Sequence, residues 1–441
     1  MDDLSQVYLG NFDVEEQWAR GEPGLPAPST RGAAAVAAAT GELALLIAAE
    51  SDLAVLKHAP EPEMLQQLEH VGLAPPRIAV PEAMEPERPV TLDALDSPDL
   101  LGRLSDEATG GARLNPHGYS EDEARLCDAT GLGIPMRDPD IAKRVNGKVF
   151  SRRLCAELDI ASPPGWECET IDELTGLADQ VRSHLDAGRP VGFKASYGVS
   201  GKGIMVCEHS GRFDQLLRLL TRRAERSGDG RIEAVIESWQ DKETDLNYHF
   251  TVADDGTVEF DFVLEAITEN GTHRGHRLPD SQPRRIREAL TECAHRIGAR
   301  LAGEGYRGPV GVDAIICRDG TLYPVIEINA RNNMSTYLAG IATRLEAAGS
   351  TGVAVQIDLP LTRRVPYREV GGALADLALD ADWRRGFLVT CAATLNAAAP
   401  SAGDRFKGRL HGLVAGRDAA DAAEVERQVR KRLGAMGEAS V

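Results

Sequence analysis

Residues 192–206, which read GFKASYGVSGKGIMV, combine a lysine with a glycine-bearing loop between two strand-like segments. Lys194 ends the first segment, and Gly198, Gly201 and Gly203 lie in the loop that follows. Glycines let backbone N–H groups approach an anion closely, and a lysine ammonium suits a phosphate oxygen. The pattern is neither that of a P-loop nor, because the loop joins two strands, that of a dinucleotide fingerprint. It predicts either a phosphate-binding loop or a flexible hairpin that simply requires glycine.

Acidic and amide side chains occur on two further strand-like segments. Asp313 lies in GVDAIIC, and Glu327, Asn329 and Arg331 alternate along EINAR, so these last three share one face of a strand. Asp313 can face the same way across a hairpin. Two carboxylates and an amide oxygen are hard ligands, suited to Mg²⁺ held jointly with substrate phosphates. The alternative is a buried ion pair between Glu327 and Arg331.

A third candidate is Glu237, which follows the strand-like segment AVI and precedes Asp245. A strand whose backbone bonds an adenine edge, followed by a carboxylate for ribose hydroxyls, would complete a nucleotide site. Acidic side chains after strands are also common on protein surfaces, so this pattern is weak evidence by itself.

The fourth candidate is HRGHR at residues 273–277, which places four basic side chains in a short stretch of an acidic chain. We predict a loop here, between a strand and the helix that starts near Pro283. A bent loop could aim Arg274 and Arg277 into a cleft, where their guanidinium groups would bind a carboxylate or a transferred phosphate. The alternative is a solvated flap.

The composition of the whole chain excludes several classes of protein. Its 441 residues include 49 basic and 68 acidic side chains, a formal charge of −19, which argues against nucleic-acid and anionic-membrane partners. We find no signal-peptide pattern and no apolar run near the ~20 residues that span a bilayer. The seven cysteines form no CxxC pair, so neither disulfides nor a zinc knuckle are expected. We therefore expect a reduced, cytoplasmic protein.

Helical and strand patterns alternate along the chain and predict several α/β units. Helices are predicted from Ser120, with Glu123 completing a capping box, and from Thr170 to Leu185. The remaining predicted helices are residues 148–158, 284–302 and 421–433. The predicted strands are residues 5–9, 53–57, 190–194, 203–207, 234–238, 248–253, 258–264, 310–317, 322–328, 389–395 and 408–414.

Taken in order over residues 143–343, the motifs resemble those of the ATP-grasp carboxylate–amine ligases, the superfamily of D-alanine–D-alanine ligase and biotin carboxylase. The family pattern has a lysine before a helix that ends at a proline-rich turn, which Lys148 and Pro163-Pro164 match. It continues with a second lysine before a glycine loop, a hinge acid, metal-binding acids and an arginine. The residues that match are Lys194, Glu237, Asp313, Glu327, Asn329 and Arg331. The chain departs from the pattern at Asn146-Gly147, where aspartate is frequent, and at Tyr197 and Val199 in the loop.

The resemblance implies an α/β protein with α+β lobes, in which an ATP-grasp fold is preceded by a small α/β pre-ATP-grasp domain and followed by a C-terminal α+β segment. The expected pre-ATP-grasp domain is residues 1–140. The two ATP-grasp lobes are expected at 141–235 and 236–350, with the metal site in the second. Residues 351–441 are the expected C-terminal extension.

The resemblance also assigns roles to site residues. ATP is expected to contact Lys148, Lys194, Ser196, Gly198, Ser200, Gly201, Gly203, Glu237, Trp239 and Asp245. Mg²⁺ or Mn²⁺ is expected on Asp313, Glu327 and Asn329. Arg331 is the expected catalytic arginine, and we predict that Arg274 or Arg277 joins it on the donor carboxylate.

The activity implied is formation of an amide bond through an acyl phosphate, with release of ADP and phosphate, from an amino-acid-like donor and an amino acid or peptide acceptor. The N-terminal block, LNPHGY at 114–119 and RNNMSTY at 331–337 are similar to the actinobacterial peptide ligases of the pheganomycin type, which implies antibiotic or other peptide natural-product biosynthesis. The alternatives are an ATP-grasp kinase acting on a small molecule and a nucleotide-binding module without turnover. A homodimer is the default expectation for assembly.

Overall fold

A computed structural model describes residues 5–25, 32–136, 138–198, 203–269, 272–400 and 405–439. The strands are β1 (Gln6–Leu9), β2 (Leu53–Val55), β3 (Arg77–Ala79), β4 (Arg113–Pro116), β5 (Gly165–Thr170), β6 (Val191–Ala195), β7 (Ile204–Cys207), β8 (Arg231–Ser238), β9 (Lys242–Val252), β10 (Val258–Glu269), β11 (Thr272–Leu278), β12 (Gly308–Cys317), β13 (Leu322–Asn329), β14 (Thr351–Leu361), β15 (Gly386–Cys391) and β16 (Phe406–Gly416). The α-helices are α1 (Val14–Trp18), α2 (Ala33–Ala39), α3 (Pro62–His70), α4 (Val90–Leu95), α5 (Pro98–Thr109), α6 (Glu121–Thr130), α7 (Pro139–Val145), α8 (Lys148–Glu157), α9 (Ile171–Asp186), α10 (Ser210–Ser227), α11 (Arg284–Gly303), α12 (Ala339–Ala348), α13 (Tyr367–Leu374) and α14 (Ala419–Ala439).

The N-terminal part of the chain builds a parallel sheet with strand order β3-β2-β1-β4. Val7, Leu53 and Leu114 on its strands are buried, and α4, α5 and α6 contribute to the same core. Since β2 and β3 lie on one side of β1 and β4 lies on the other, the carboxyl ends of β1 and β4 flank a topological switch point. Ligands of open α/β sheets bind at such a crevice.

A four-stranded antiparallel sheet of order β5-β8-β6-β7 follows, and α9 and α10 pack against it. The predicted N-cap of α9 is confirmed, because the side chain of Thr170 accepts a hydrogen bond from the Glu173 N–H at 3.2 Å. The carboxylate of Glu173 accepts instead from the N–H of Glu169 at 2.7 Å. The capping box predicted at Ser120 and Glu123 is present in full at the start of α6.

The third sheet has eight strands in the order β13-β12-β9-β10-β11-β14-β16-β15, and all of its pairs are antiparallel. Helix α11 packs its apolar side, including Leu290 and Ile297, onto Tyr248 and Phe250 of β9. The C-terminal strands β14, β16 and β15 extend this sheet from the edge of β11, so one continuous surface runs from the acidic strands β12 and β13 to the C-terminal residues.

Two elements differ from the predictions for the C-terminal part. Strand β14, which the sequence patterns do not predict, pairs along its whole length with β16 and at its first half with β11. Residues 389–395 were predicted as a strand, but β15 ends at Cys391 and residues 393–395 form a 3-10 helix. The carboxylate of Glu42 accepts hydrogen bonds from the N–H groups of Ala392 (2.5 Å) and Ala393 (2.8 Å), which fixes the chain where it leaves the strand.

Two expectations from composition can be compared with the structure directly. All seven cysteines lie in the described part of the chain, and no disulfide joins any of them there. Within the same residues, no helix combines the length and apolar character needed to cross a bilayer.

Candidate active site

Two adjoining cavities lie between the four-stranded antiparallel sheet and the eight-stranded sheet. The central cavity, of about 300 Å³, is lined by Glu15, Lys148 and Arg331 among others, and the hinge cavity, of about 320 Å³, is lined by Trp239 and Asp245. The walls that both cavities share are Ile204, Ala266, His273, Asp313 and Glu327. The two cavities therefore form one cleft, and the predicted metal-binding carboxylates of Asp313 and Glu327 lie where the cavities join.

Lys194 stands on β6, the strand in its sheet whose residues are all buried. Its ammonium forms an ion pair with the carboxylate of Glu237 on the neighbouring strand β8, and both side chains are less than a tenth exposed. The structure thus brings together the predicted lysine and the predicted hinge acid. A buried charge needs a partner of opposite charge, and Lys194 and Glu237 serve as partners for each other.

The glycine-bearing loop is described at its two ends. A Cβ atom on Gly198 would lie 3.0 Å from the Cα of Gly203, so the two glycines allow the chain ends to approach closely beside the central cavity. The hydroxyl of Ser196 is buried and has no hydrogen-bond partner in the part of the chain that the structure describes. The other predicted contacts in this loop, Ser200 and Gly201, lie outside the described residues.

The hinge after β8 forms one wall of the hinge cavity. The N–H of Ser238 donates to the carbonyl of Pro164 at 2.7 Å, and the N–H of Trp239 donates to the carbonyl of Pro190 at 2.8 Å. The indole of Trp239 is 37% exposed although it is large and apolar, so it offers a flat apolar surface to this cavity. A planar ring can therefore pack here, but these two N–H groups are already bonded within the protein.

Asp245 is held in place at the far side of the hinge cavity. Both of its carboxylate oxygens lie 2.7 Å from the ammonium of Lys242, and the hydroxyl of Thr268 donates to one of them at 2.6 Å. Lys242 and Thr268 line the same cavity and were not predicted. The three side chains form a fixed polar group that suits sugar hydroxyls.

The predicted metal acids face each other across two strands. Asp313 of β12 and Glu327 of β13 are direct cross-strand partners, and Asn329 lies two positions further along β13 on the same face. The amide of Asn247 donates to one oxygen of Asp313 at 2.7 Å, and that of Asn329 donates to the other at 3.3 Å. Lys148, at the first turn of α8, pairs with Glu327 at 2.7 Å.

The two carboxylates differ in their protonation behaviour. Burial and the neighbouring charge of Glu327 raise the pKa of Asp313 to about 6. Burial would also raise the pKa of Glu327, but the ammonium groups of Lys148 and Lys194 outweigh it and leave that pKa below its usual value. The carboxylate of Glu327 is therefore compensated by lysines, whereas that of Asp313 forms no ion pair with any residue that the structure describes.

This donor set fits a divalent cation. Burial and, after it, the charge of Glu327 raise the pKa of Asp313, and a bound cation would favour the ionised form of this carboxyl. Oxygen ligands of carboxylates and an amide are those that Mg²⁺ and Mn²⁺ prefer. Mg²⁺ is usually held by one or two carboxylates together with substrate phosphates and water, and two carboxylates with one amide leave room for both.

Arg331 follows β13 and lies between the central cavity and the N-terminal domain. Its guanidinium donates to the side-chain oxygen of Asn329 at 3.0 Å and to the carbonyl of Asn332 at 2.9 Å, and it forms an ion pair with Glu15 of α1. Its Nε is buried without a partner among the described residues. Arg331 is thus not paired with Glu327, which was the alternative prediction.

The prediction that HRGHR is a loop is wrong. These residues lie within β11, which pairs with β10 on one side and with β14 on the other. A Cβ atom on Gly275 would overlap the carbonyl oxygen of Ala354 in β14, so this glycine allows close strand pairing and not a bend. His273 opposes Thr268 and Gly275 opposes Ile267, which makes Arg274 the extra residue of a β-bulge.

The bulge decides which side chains of β11 reach the site. His273 and His276 both line the central cavity, and their rings are joined by a 3.3 Å contact between Nε2 and Nδ1. Arg277 is more than half exposed and pairs with Glu265 at 2.9 Å. Since Arg277 and Glu265 are cross-strand partners, whereas His276 opposes the cavity-lining Ala266, Arg277 lies on the other face of the sheet. Arg274 borders a smaller cavity near His411.

The sequence patterns missed the residues that the N-terminal domain contributes. Phe12 and Glu15 follow β1, His117 follows β4, and all three line the central cavity. The rings of Phe12 and His117 stack with centroids 3.9 Å apart, and Nδ1 of His117 lies 2.9 Å from the hydroxyl of Tyr337. The segment LNPHGY, which includes His117, was singled out only for its resemblance to a family.

Two family models match the chain. The model of the pre ATP-grasp domain matches residues 40–132, and that of the ATP binding domain of the carbamoyl-phosphate synthase L chain matches residues 147–361. The second match contains both lysines, the hinge and the metal acids described above.

Two curated relatives match parts of the chain. The [butirosin acyl-carrier protein]–L-glutamate ligase of Niallia circulans is 30% identical over 208 residues, which are 45% of this chain and 46% of that protein. The L-propargylglycine–L-glutamate ligase of Streptantibioticus cattleyicolor is 26% identical over 237 residues, 50% of this chain and 47% of that protein. The chain thus spans slightly less than half the length of each relative.

Solved structures share the fold at low identity. A biotin carboxylase from Campylobacter jejuni, in complex with β,γ-ATP, superimposes with a TM-score of 0.58 at 12% identity, covering 99% of this chain and 95% of that chain. The ADP complex of an N5-carboxyaminoimidazole ribonucleotide synthetase has a TM-score of 0.53 at 14% identity, with 89% and 93% covered. Together with the family matches, these structures show that the chain has an ATP-grasp fold preceded by a pre-ATP-grasp domain.

Proposed function

We propose that the protein is an ATP-dependent ligase that joins a carboxylate to an amine and releases ADP and phosphate. The observation that carries this proposal is the arrangement around one cleft of Lys148, the Asp313–Glu327 pair and Arg331, with Lys194 paired to Glu237 in the wall of that cleft. Cationic groups for a triphosphate, oxygen ligands for a divalent cation and an arginine for a carboxylate are what such a reaction requires.

In this proposal the hinge cavity binds the adenosine part of ATP. Trp239 would pack against the purine, and the fixed carboxylate of Asp245 would accept hydrogen bonds from ribose hydroxyls. Lys194, with the hydroxyl of Ser196 and the glycine-bearing loop, would contact the phosphates. When ATP binds, its phosphates would replace Glu237 as the partner of Lys194.

Asp313, Glu327 and Asn329 would hold Mg²⁺ or Mn²⁺. When bound, the cation supplies positive charge that offsets the charge of the triphosphate. Lys148 stays beside Glu327 and adds a further positive charge to the same region.

Arg331 would orient the donor. A carboxylate oxygen of the donor attacks the γ-phosphorus, and ADP leaves as an acyl phosphate forms. The acceptor amine then attacks the acyl carbon, Arg331 stabilises the negative oxygen that develops there, and phosphate leaves. His273 and His276, which are neutral because burial lowers their pKa, would offer hydrogen bonds without adding charge.

We propose L-glutamate as the first donor to test, because both curated relatives are named for it. Its side-chain carboxylate can be activated without involving the α-amino group. The acceptor class we propose is an amino acid or a peptide, and the process is peptide natural-product biosynthesis in the cytoplasm, by a homodimer. The closer resemblance to the pheganomycin type of ligase stays a prediction, and so do the residue ranges of the four expected domains.

The test is an ADP-release assay over pairs of amino acids and short peptides, supplied with ATP and Mg²⁺ and followed by mass spectrometry. We expect ADP in a one-to-one ratio with a product that is one water lighter than the sum of the pair. ADP release that does not depend on an amine, together with a phosphorylated product, would instead identify a kinase. ATP binding without any ADP release would identify a nucleotide-binding module.

A further inference from the structure

The ion pair between Glu15 and Arg331 connects the N-terminal domain to the reaction site. Glu15 lies on α1, directly after the first strand of the parallel sheet, and its side chain is 20% exposed, whereas that of Arg331 is 11% exposed. Both side chains line the central cavity. The pair is therefore sheltered from water, and it occupies the arginine that the donor carboxylate requires.

The fold places Glu15 at a crevice suited to a ligand. The loop after β1 carries Glu15 and Phe12, and the segment after β4 carries His117, so these residues mark the switch point of the parallel sheet. The stack of Phe12 on His117 fixes one wall of the crevice. This edge of the N-terminal sheet faces the central cavity.

Glu15 differs from the other carboxylates of the central cavity in the group that it pairs with. Among the described residues that line it, the carboxylates are Glu15, Asp313 and Glu327. Glu327 pairs with Lys148 and Asp313 faces the proposed cation, but Glu15 pairs with Arg331. A donor carboxylate that binds Arg331 competes with Glu15, and the buried Nε of Arg331 still has a hydrogen bond to give. Once the donor has displaced Glu15 from Arg331, the carboxylate of Glu15 would lie beside the acyl group without a cationic partner.

We propose that Glu15 binds the ammonium group of the acceptor once the donor carboxylate has replaced it on Arg331, and that the ammonium then releases one proton to water so that its nitrogen can attack the acyl carbon. This inference rests on the proposed ligase function. It assigns the N-terminal domain the recognition of the acceptor, and it makes binding ordered, because Glu15 becomes available to a cation only after the donor has reached Arg331. A sheltered carboxylate attracts an ammonium more strongly than an exposed one does.

The experiment compares two nucleophiles on the same acyl phosphate. Hydroxylamine is largely uncharged at mildly alkaline pH and captures activated donors as hydroxamates, so it needs no partner for an ammonium group. The full chain is supplied with ATP, Mg²⁺ and L-glutamate, and then either with hydroxylamine or with L-propargylglycine. The variants are Glu15→Gln and Glu15→Asp, with Glu16→Gln, an exposed neighbour in the same helix, as the control.

For Glu15→Gln we expect the KM for L-propargylglycine to rise at least tenfold, while the rate of hydroxamate formation changes less than threefold. Glu15→Asp should recover part of the lost acceptor affinity, and Glu16→Gln should match the wild type. Because a competitor for Arg331 has been removed, the KM for L-glutamate should stay constant or fall.

Two results with an active wild type would overturn the inference. If Glu15→Gln impairs the hydroxamate and amide reactions in parallel, Glu15 serves the donor or the fold. If it impairs neither, the pair with Arg331 has no part in recognition. A wild type that forms neither product from L-glutamate would overturn the proposed function for this donor, and the inference with it.

Discussion

Asp313 and Glu327 stand directly opposite each other on β12 and β13, and among the described residues a lysine pairs with Glu327 but not with Asp313. The pKa of Asp313 is consequently raised to about 6 by burial and by the charge of Glu327. Cation binding requires the ionised carboxylate. We therefore predict that Mn²⁺ affinity, measured by calorimetry, is constant above neutral pH and falls about tenfold for each pH unit below 6.

The raised pKa of Asp313 also predicts how the stability of the fold depends on pH. A carboxyl whose pKa is higher in the folded than in the unfolded state makes the fold less stable as pH rises through that interval. Without divalent cations, Asp313→Asn should therefore raise the Tm at neutral pH. Addition of Mg²⁺ should raise the Tm of the wild type more than that of the variant. Equal gains in the two proteins would place the cation elsewhere.

Glu327→Gln should leave the fold intact and lower turnover at least a hundredfold, because one cation ligand loses its charge and Lys148 loses its partner. Circular dichroism and the ADP-release assay measure the two effects. Asp319→Asn, in the exposed turn between β12 and β13, is the matched control and should keep wild-type turnover. Retention of more than about a tenth of the wild-type rate by Glu327→Gln would contradict the proposed cation role.

Lys194→Met should weaken ATP binding at least tenfold in calorimetry, since the ammonium is a proposed phosphate contact. It should also lower the free energy of unfolding by roughly 3–5 kcal/mol, because Glu237 is left as an unpaired buried charge. The double variant Lys194→Met with Glu237→Gln should recover most of that stability but not the ATP affinity. Recovery of both would show that the lysine serves the fold alone.

Strand β11 allows its two faces to be compared. His276→Ala should lower kcat/KM about tenfold, because the imidazole lines the central cavity and contacts His273. Arg277→Lys should behave like the wild type, since Arg277 lies on the other face and its exposed pair with Glu265 contributes at most about 1 kcal/mol. A raised donor KM in Arg277→Lys would restore the original prediction that this arginine binds the donor.

The sequence by itself determined the elements whose signals are local. Helices α6 and α9 begin at residues whose side chains cap their first turns, and such caps depend on neighbours three residues apart. The ordered lysines, hinge and acidic strands were recognisable because each motif lies within one helix or strand and its adjoining loop. The sequence could place Asp313 and Glu327 on the same face because a short turn joins their two strands, whereas the irregularity between Asp313 and Ile315 is what sets them directly opposite each other.

Only the tertiary structure decided which distant segments meet at the site. A bulge at Arg274 turns His273 and His276 toward the cavity, and its position depends on pairing with β10 and β14, which local periodicity does not encode. Glu15 reaches Arg331 across more than 300 positions of the chain because two domains pack together. Periodicity reports which side of an element is apolar, but the partner that covers that side is chosen by packing of the whole molecule.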